Sequence, residues 1–187
     1  MLEFQKGNKT SFEKLMEKHY KRILNLIYRF VGNNEIAEDL TQEVFIKVYK
    51  SAASYKPQAK FHTWLYQIAK NVSLNELRKH KRQAVSLEET FETEDGELIK
   101  QVADTKIANP HEDALQKETI EIVKEAIDAL PENQRLAVIL RRYENLSYED
   151  IAKTMNCSLK AVKSLLNRAK ENLKEKLSPF VDSSKEK

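Results

Sequence analysis

The sequence predicts an all-α protein: two small helical domains, the second carrying a helix-turn-helix, joined by an acidic flexible linker. Three observations predict it. Apolar residues recur at spacings of three and four along the 187-residue chain, the signature of helices with one buried face. Glycine and proline fill only three and four positions while 33% of residues are charged, a composition that suits helices and argues against a sheet-rich fold. Between 85 and 112 the periodicity weakens and acids accumulate, which separates one periodic stretch from the next. The expected limits are therefore 1–84 for the first domain, 85–112 for the linker, 113–178 for the second domain and 179–187 for a polar, frayed tail.

The first helix is expected to start near Thr10 or Ser11. Phe12, Leu15, Met16, Tyr20, Ile23, Leu24, Ile27 and Phe30 follow at helical spacing, and Gly32-Asn33-Asn34 ends the run. The second helix reads NEIAEDLTQEVFIKVYKSAA. Its inner face is approximated by Ile36, Ala37, Leu40, Val44, Ile46 or Val48, and Ser51. Glu35, Glu38, Asp39, Gln42 and Glu43 line the outer face. Such a strip serves either as a solvated surface or as a docking face for a basic partner.

Pro57 interrupts the pattern, so Ser54 to Ala59 reads as a loop. The third helix, KFHTWLYQIAKNVSLNELRKHKR, takes Thr63 as its cap and Trp64, Leu65, Ile68, Ala69, Val72 and Leu77 as its core stripe. Tyr55, Phe61, Trp64 and Tyr66 crowd its start, with His62 among them, and the block Arg78, Lys79, His80, Lys81, Arg82 closes its end. Rings beside cations are what an unpaired strand needs, since rings stack on bases and cations hold the backbone. The same rings could equally be core, and Trp64 is read as core.

Between Val85 and Glu118 ten acids face three lysines, so the middle of the chain is negative and nucleic-acid contact is expected at the basic flanks. The fourth helix places Ile120, Val123, Ile127 and Leu130 on one face, and Pro131 stops it and can open the next at its first turn. ENQRLAVILRRYEN forms the fifth, closed by Asn145.

The stretch from Leu146 to Leu173 carries the sharpest signal. Ser147 stands at an N-cap with Asp150 as the acidic partner of a capping box, and Leu146 and Ile151 form the staple. Asn156 offers the left-handed turn, and Ser158 caps a second helix stapled by Cys157 and Val162. Val162, Leu166, Ala169 and Leu173 face inward, and the small Ala152 lets the two helices cross closely. Lys160, Lys163, Ser164 and Asn167, with Arg168 beside them, form the outer strip. Any two-helix corner shares the bare pattern. The paired caps, the small crossing residue and the basic strip point to a helix that fits the major groove of DNA.

The formal net charge is only +3, so its distribution matters more than its total. A single cysteine, Cys157, excludes an intrachain disulfide and suits a reducing cytoplasm. No apolar run approaches the roughly 20 residues that span a bilayer, and the N-terminus lacks a signal-peptide core. An enzyme is not expected. His19, His62, His80 and His111 are scattered, none pairs at metal-ligand spacing, and three glycines make no phosphate loop, so neither metal nor cofactor is called for.

Three stretches stand together in order: AEDLTQEVFIKVY (37–49), KFHTWLYQIAKN (60–71), and LPxxQR followed by LSYEDIA and KAVKSLLNRAK. In order and spacing they resemble the extracytoplasmic-function (ECF) sigma factors of the sigma-70 family, over about residues 7 to 177. The resemblance implies a non-catalytic factor that brings core RNA polymerase to promoter DNA. It implies that the first domain is region 2, whose Asp39, Gln42 and Glu43, with Glu38 beside them, dock on the coiled coil of the polymerase β′ subunit. It implies that the 63–71 helix and the loop before it open the −10 element. There Tyr55 and Asn71 would hold an extruded base, with Tyr66, Phe61 and His62 near, and Arg78, Lys79, Lys81 and Arg82 would hold phosphates. The second domain would be region 4, reading the −35 element through Ser158, Lys160, Lys163, Ser164, Asn167 and Arg168 and touching the β flap. The linker would thread near the polymerase active site, and an anti-sigma factor, in some members linked to a membrane, would complete the partners. Leu165 departs from the family's arginine and removes one cation. Asn145 and Asn156 replace frequent glycines, and Gly7-Asn8 with Ser11-Phe12 stand for the early G-D-x-x-A-F pattern. The competing class is a free-standing helix-turn-helix regulator, which would need a dimer placing two recognition helices about 34 Å apart. The sequence offers no separate dimer helix.

Overall fold

The computed structural model describes residues 1–57, 60–88 and 110–183. Among the described residues every regular element is helical: α1 (Leu2–Gln5), α2 (Lys9–Val31), α3 (Asn34–Lys50), a 3₁₀ turn (Ala52–Ser54), α4 (Phe61–Glu88), α5 (Pro110–Asp128), α6 (Glu132–Arg142), α7 (Tyr148–Met155) and α8 (Leu159–Ser183).

Helices α2, α3 and α4 pack on one another, and α5, α6 and α7 gather on α8. The two groups do not stand apart. One apolar cluster runs through Ile23, Leu26, Ile27 and Phe30 of α2, Leu65 and Ala69 of α4, and on into Leu136, Ile139, Leu140 and Ile151 of the second group. Each buried leucine, isoleucine or phenylalanine among them contributes about 1.5–3 kcal/mol relative to exposure. The second domain therefore shares its core with the first. A smaller cluster of Leu130, Val138 and Ala169 ties α6 to α8.

Local chemistry explains where the ends fall. Asn8, not Thr10 or Ser11, caps α2: its Oδ1 accepts from Ser11 N at 3.2 Å and from Thr10 Oγ1 at 2.7 Å. The four-residue α1 ahead of it is too short to show periodicity in sequence. Gly32 closes α2 at φ 79°. Asn33 then caps α3, accepting from Ile36 N at 3.0 Å. On α3 Phe45 turns inward while Ile46 is 52% exposed, so the inner face runs through Thr41, Val44, Phe45 and Val48 and leaves Ile46 out.

Thr63 is not a cap. Helix α4 starts at Phe61, with the Lys60 carbonyl already accepting from Thr63 N at 3.0 Å, and Thr63 is buried with its hydroxyl unpartnered among the described residues. Helical backbone occupies 85–88 and 110–112, both ends of the expected linker, whose acidic middle lies outside the described residues. Ile120 is 66% exposed and Val123 is exposed as well, because the core is reached only at the end of α5, through Ala126, and just beyond it, through Leu130. Pro131 stands at the N-cap of α6, one residue earlier than expected. Asn145 and Asn156 take φ 51° and φ 54°, which a short polar side chain tolerates in place of glycine.

Residues 179–183 of the expected frayed tail continue α8, which runs through Pro179 to Ser183, and 184–187 lie outside the described residues. Proline removes the N–H that would have reached Glu175 O. The Ser178 hydroxyl donates to that carbonyl at 2.9 Å and fills the gap.

Candidate nucleic-acid interface

The helix-turn-helix forms as its caps require. Ser147 Oγ accepts from Asp150 N at 3.1 Å, and Ser158 Oγ accepts from Ala161 N at 3.1 Å. Each such cap is worth about 1 kcal/mol. The Asp150 carboxylate keeps Ser147 as a hydrogen-bond partner and also reaches the first domain, where its Oδ2 takes Lys60 Nζ at 3.2 Å. Burial works to raise that carboxyl, and the Lys60 ammonium outweighs it, holding the group below the ordinary carboxylate range. Val162 and Ala169 lock α8 inward at 0% exposure. Ser158, Lys160, Lys163, Ser164, Asn167 and Arg168 are all exposed on its outer side. Leu165 is half-buried. Within α8 the result is a polar, cationic helix face on an apolar anchor, the shape that a major groove accepts.

The residues gathered around α4 divide between two faces. The outer face holds Asn71, Arg78, Lys79 and Arg82, all exposed. A groove of about 420 Å³ opens beside Asn71, walled by Ile68 and Val72, with Lys47, Lys50 and Ser51 from the end of α3 and Asn75 from α4. A second hollow of about 290 Å³ continues along Asn75, Arg78, Lys79 and Arg82. Asn75 belongs to both, so the two form one cationic trough with amides along its floor. The side chain of Lys81 lies outside the described ones.

Sequence reasoning missed Lys47, Lys50 and Asn75. The signal for Asn75 was present, since 71, 75, 78 and 82 are spaced four, three and four on one helix face. Lys47 and Lys50 come from another helix, and only the α3–α4 packing brings them here.

The inner face of α4 meets the second domain. Tyr66 is 1% exposed and its hydroxyl donates to Glu144 in the α6–α7 connection. Arg22 of α2 completes the cluster: its Nε donates to Glu144 Oε2 at 2.6 Å and its Nη2 to Glu144 O at 3.2 Å. Burial, then the Glu144 carboxylate, push the Tyr66 hydroxyl far above its ordinary range. Gln67 Nε2 reaches Lys153 O at 2.6 Å. Guanidinium groups lie over rings across the same seam, Arg29 over Tyr143 at 4.4 Å and Arg135 over Phe30 at 5.0 Å. Tyr66 is thus not a free ring in this arrangement. Its 60–71 segment gave no sequence sign of this, because Glu144 is 78 positions away.

Tyr55 is buried in a ring cluster, 4.9 Å from Trp64 and 5.9 Å from Phe61. Its loop is held from the N-terminus: Gln5 Nε2 donates to Ala52 O at 2.7 Å and to Tyr55 O at 2.9 Å. His62 is half-buried, 6.0 Å from the Tyr66 ring, and burial lowers its pKa despite Asp150 nearby. The structure therefore brings Asn71 together with the basic block and sets Tyr55, Phe61, His62 and Tyr66 apart from that trough.

On α3, Glu38, Asp39, Gln42 and Glu43 form one exposed strip, away from the seam between domains. Ile46 and Tyr49, 52% and 51% exposed, continue it toward the C-terminal end. No group of three or more His, Cys, Asp or Glu among the described residues could hold a metal. No helix among them is long and apolar enough to cross a membrane.

Comparison with known proteins agrees with this geometry. A family model described as Sigma-70 region 2 matches residues 15–83, and one described as Sigma-70, region 4 matches residues 120–173. The RNA polymerase sigma-H factor of Pseudomonas aeruginosa is 38% identical over 178 residues, covering 95% of this chain and 91% of that protein. The ECF RNA polymerase sigma-E factor of Escherichia coli K12 is 34% identical over 181 residues, covering 95% and 92%. Among solved structures, the sigma factor RpoE in complex with the anti-sigma factor NepR from Bartonella quintana matches with a TM-score of 0.68 at 23% identity, over 90% of this chain and 97% of that one. CnrH in complex with the cytosolic domain of CnrY matches with a TM-score of 0.65 at 19% identity, over 96% and 92%. Near-full-length identity, the two family models in their order and the helix-turn-helix geometry agree: the chain belongs to the sigma-70 family, as an extracytoplasmic-function sigma factor.

Proposed function

We propose a division of labour for this sigma factor, which directs RNA polymerase to promoters and has no catalysis of its own. Residues 1–84 act as region 2, 85–112 as the connector, 113–178 as region 4, and 179–187 as the terminal segment. The exposed α3 strip of Glu38, Asp39, Gln42 and Glu43 docks on the β′ coiled coil, and the second domain meets the β flap. The face of α8 reads −35 duplex through Ser158, Lys160, Lys163, Ser164, Asn167 and Arg168. Phosphates flanking the opened −10 element lie along Arg78, Lys79, Lys81 and Arg82.

The observation that carries the reading is the trough on α4. A hollow of about 420 Å³ beside Asn71 has room for one base, and the cations continuing from it give the strand a path. Taking a base out of the stack costs a few kcal/mol, which an amide that pairs with its edge and an apolar wall beneath it offset. Lys47, Lys50 and Asn75 join the site on this ground. Tyr66 and His62 reach DNA only after the seam between domains changes, and Tyr55 and Phe61 only after the ring cluster they share with Trp64 opens. The anti-sigma factor NepR bound to RpoE, and the cytosolic domain of CnrY bound to CnrH, support an anti-sigma factor as regulator here, and the lone half-buried Cys157 suits a cytoplasmic setting.

Run-off transcription tests the reading. Core polymerase lacking any sigma factor, the purified chain and promoter-bearing DNA should yield discrete transcripts only when the chain is present. Absence of transcripts, with no co-elution with core polymerase, would refute it.

A further inference from the structure

Helix α1 has four residues and buries none of them, too short a helix to persist on its own hydrogen bonds. Two neighbouring side chains hold it to the first domain. The Phe4 ring lies 5.0 Å from Phe12 of α2 and 5.1 Å from Tyr49 of α3, and those two rings lie 5.3 Å from each other. Tilted and edge-on ring pairs at such separations attract beyond the area they bury. Gln5, the next residue, meets the 3₁₀ turn after α3. Its Nε2 donates to Ala52 O at 2.7 Å and to Tyr55 O at 2.9 Å. One amide thus places both its N–H bonds on the two ends of a single turn.

That turn links the trough to the ring cluster. Ser51, ahead of it, walls the hollow of about 420 Å³ beside Asn71, and Tyr55, behind it, packs on Trp64. Within the turn, Ser54 N reaches Ser51 O and Tyr55 N reaches Ala52 O, both at 3.1 Å. Bonds of this 3₁₀ type have poorer geometry than those of an α-helix. Gln5 adds a strut from outside. Ser51 is the joint: its N–H donates to Lys47 O at 2.9 Å and its carbonyl accepts from Ser54. A shift of the turn therefore passes to the end of α3, where Lys47 and Lys50 line the same hollow.

We propose that Gln5 is a positioning residue for base selection: by fixing the Ala52–Tyr55 turn it sets where Ser51 and Lys50 stand, and so which base fits beside Asn71. This rests on the reading of the trough as the site of an extruded base. Gln5 touches no wall of the hollow itself and acts through the turn it braces. Groups that discriminate between ligands must be held to within about 0.5 Å, and their supporting contacts decide whether they are. Phe4 supplies the anchor and Gln5 the reach, so a segment remote from the trough in sequence governs its width.

The test is run-off transcription with core polymerase and a promoter set that carries each base in turn at every non-template position of the −10 element. The parent chain should prefer one base at the extruded position. Gln5→Glu keeps the shape and loses both donors, and should cut that preference by about fivefold. Gln5→Lys supplies donors for both carbonyls and should restore it. Ratios are taken among templates within one protein sample, so any loss of folded chain scales all of them alike and cancels. Affinity for core polymerase and for −35 duplex should not move. An equal loss on every base in Gln5→Glu, or a Gln5→Lys chain that behaves as Gln5→Glu, would overturn the proposal. A parent with the preference and a Gln5→Glu chain that keeps it defeat the strut alone. A parent that transcribes with no preference at any position defeats the reading of the trough beneath it.

Discussion

Gln5 donates to two carbonyls of the loop that carries Tyr55, and nothing in its local sequence marks it. Its removal leaves two partly buried acceptors to water, a loss of about 1 kcal/mol per hydrogen bond. Gln5→Ala should loosen residues 51–57, seen as faster amide exchange there, and slow promoter opening while polymerase affinity stays put. Lys163 lies at the other end of the same scale. It is exposed on α8 with Val162 beside it locked inward, so its Cα is fixed while its ammonium is free to reach a groove. Lys163→Ala should cost about 1–3 kcal/mol on −35 duplex if it reads a base. If it meets a phosphate, the loss is uniform across sequences and the salt slope falls by about one, which a salt titration distinguishes. Lys163 was legible because cap and periodicity locate a helix face from nearby residues. Gln5 was not, because its partners lie 47 and 50 positions on.

At the scale of elements, α3 and α4 show how far periodicity reaches. On α3 the acidic outer strip was read from spacing alone and is exposed as expected. Asp39→Ala with Gln42→Ala should weaken binding to core polymerase at least tenfold and leave affinity of the free chain for −35 duplex unchanged. Equal polymerase affinity in a co-elution or fluorescence titration would remove the strip as a docking face. The same helix also marks the limit of the method. Phe45 and Ile46 are neighbours of similar hydropathy, and only packing decides that the ring goes in and Ile46 comes out at 52% exposure. On α4 both sides carry aromatic and polar residues, so one-dimensional pattern merged two faces into one site. The trough of Asn71 and the basic block is one side; His62, Tyr66 and Gln67, turned to the second domain, are the other. Helix α8 continues past Pro179 for a reason that composition cannot show, the Ser178 hydroxyl standing in for the missing N–H.

The closure of the whole molecule was beyond the sequence because it depends on charges paired across 122 positions. It carries its own titration. His19 and His62 sit close to the seam, 5.4 Å from the Phe61 ring and 6.0 Å from the Tyr66 ring respectively. Burial lowers the pKa of both. Lys18, Arg22 and His62 add to this for His19; for His62, Lys60 and Arg22 add to it and Asp150 opposes. A histidine with a lowered folded pKa favours the neutral form in the closed state. The stability it contributes is complete above the unfolded value near 6.5 and is lost as pH falls below it. The closed form should therefore weaken as pH drops from 7.5 toward 5.5, read as lower thermal stability. Protonation adds positive charge beside Arg22 and Lys60, with Asp150 opposing at His62. Far-ultraviolet dichroism should change little over the same range. His19→Asn with His62→Asn should flatten the profile. A parent chain whose thermal stability is level across that range would show that the two imidazoles do not feel the seam.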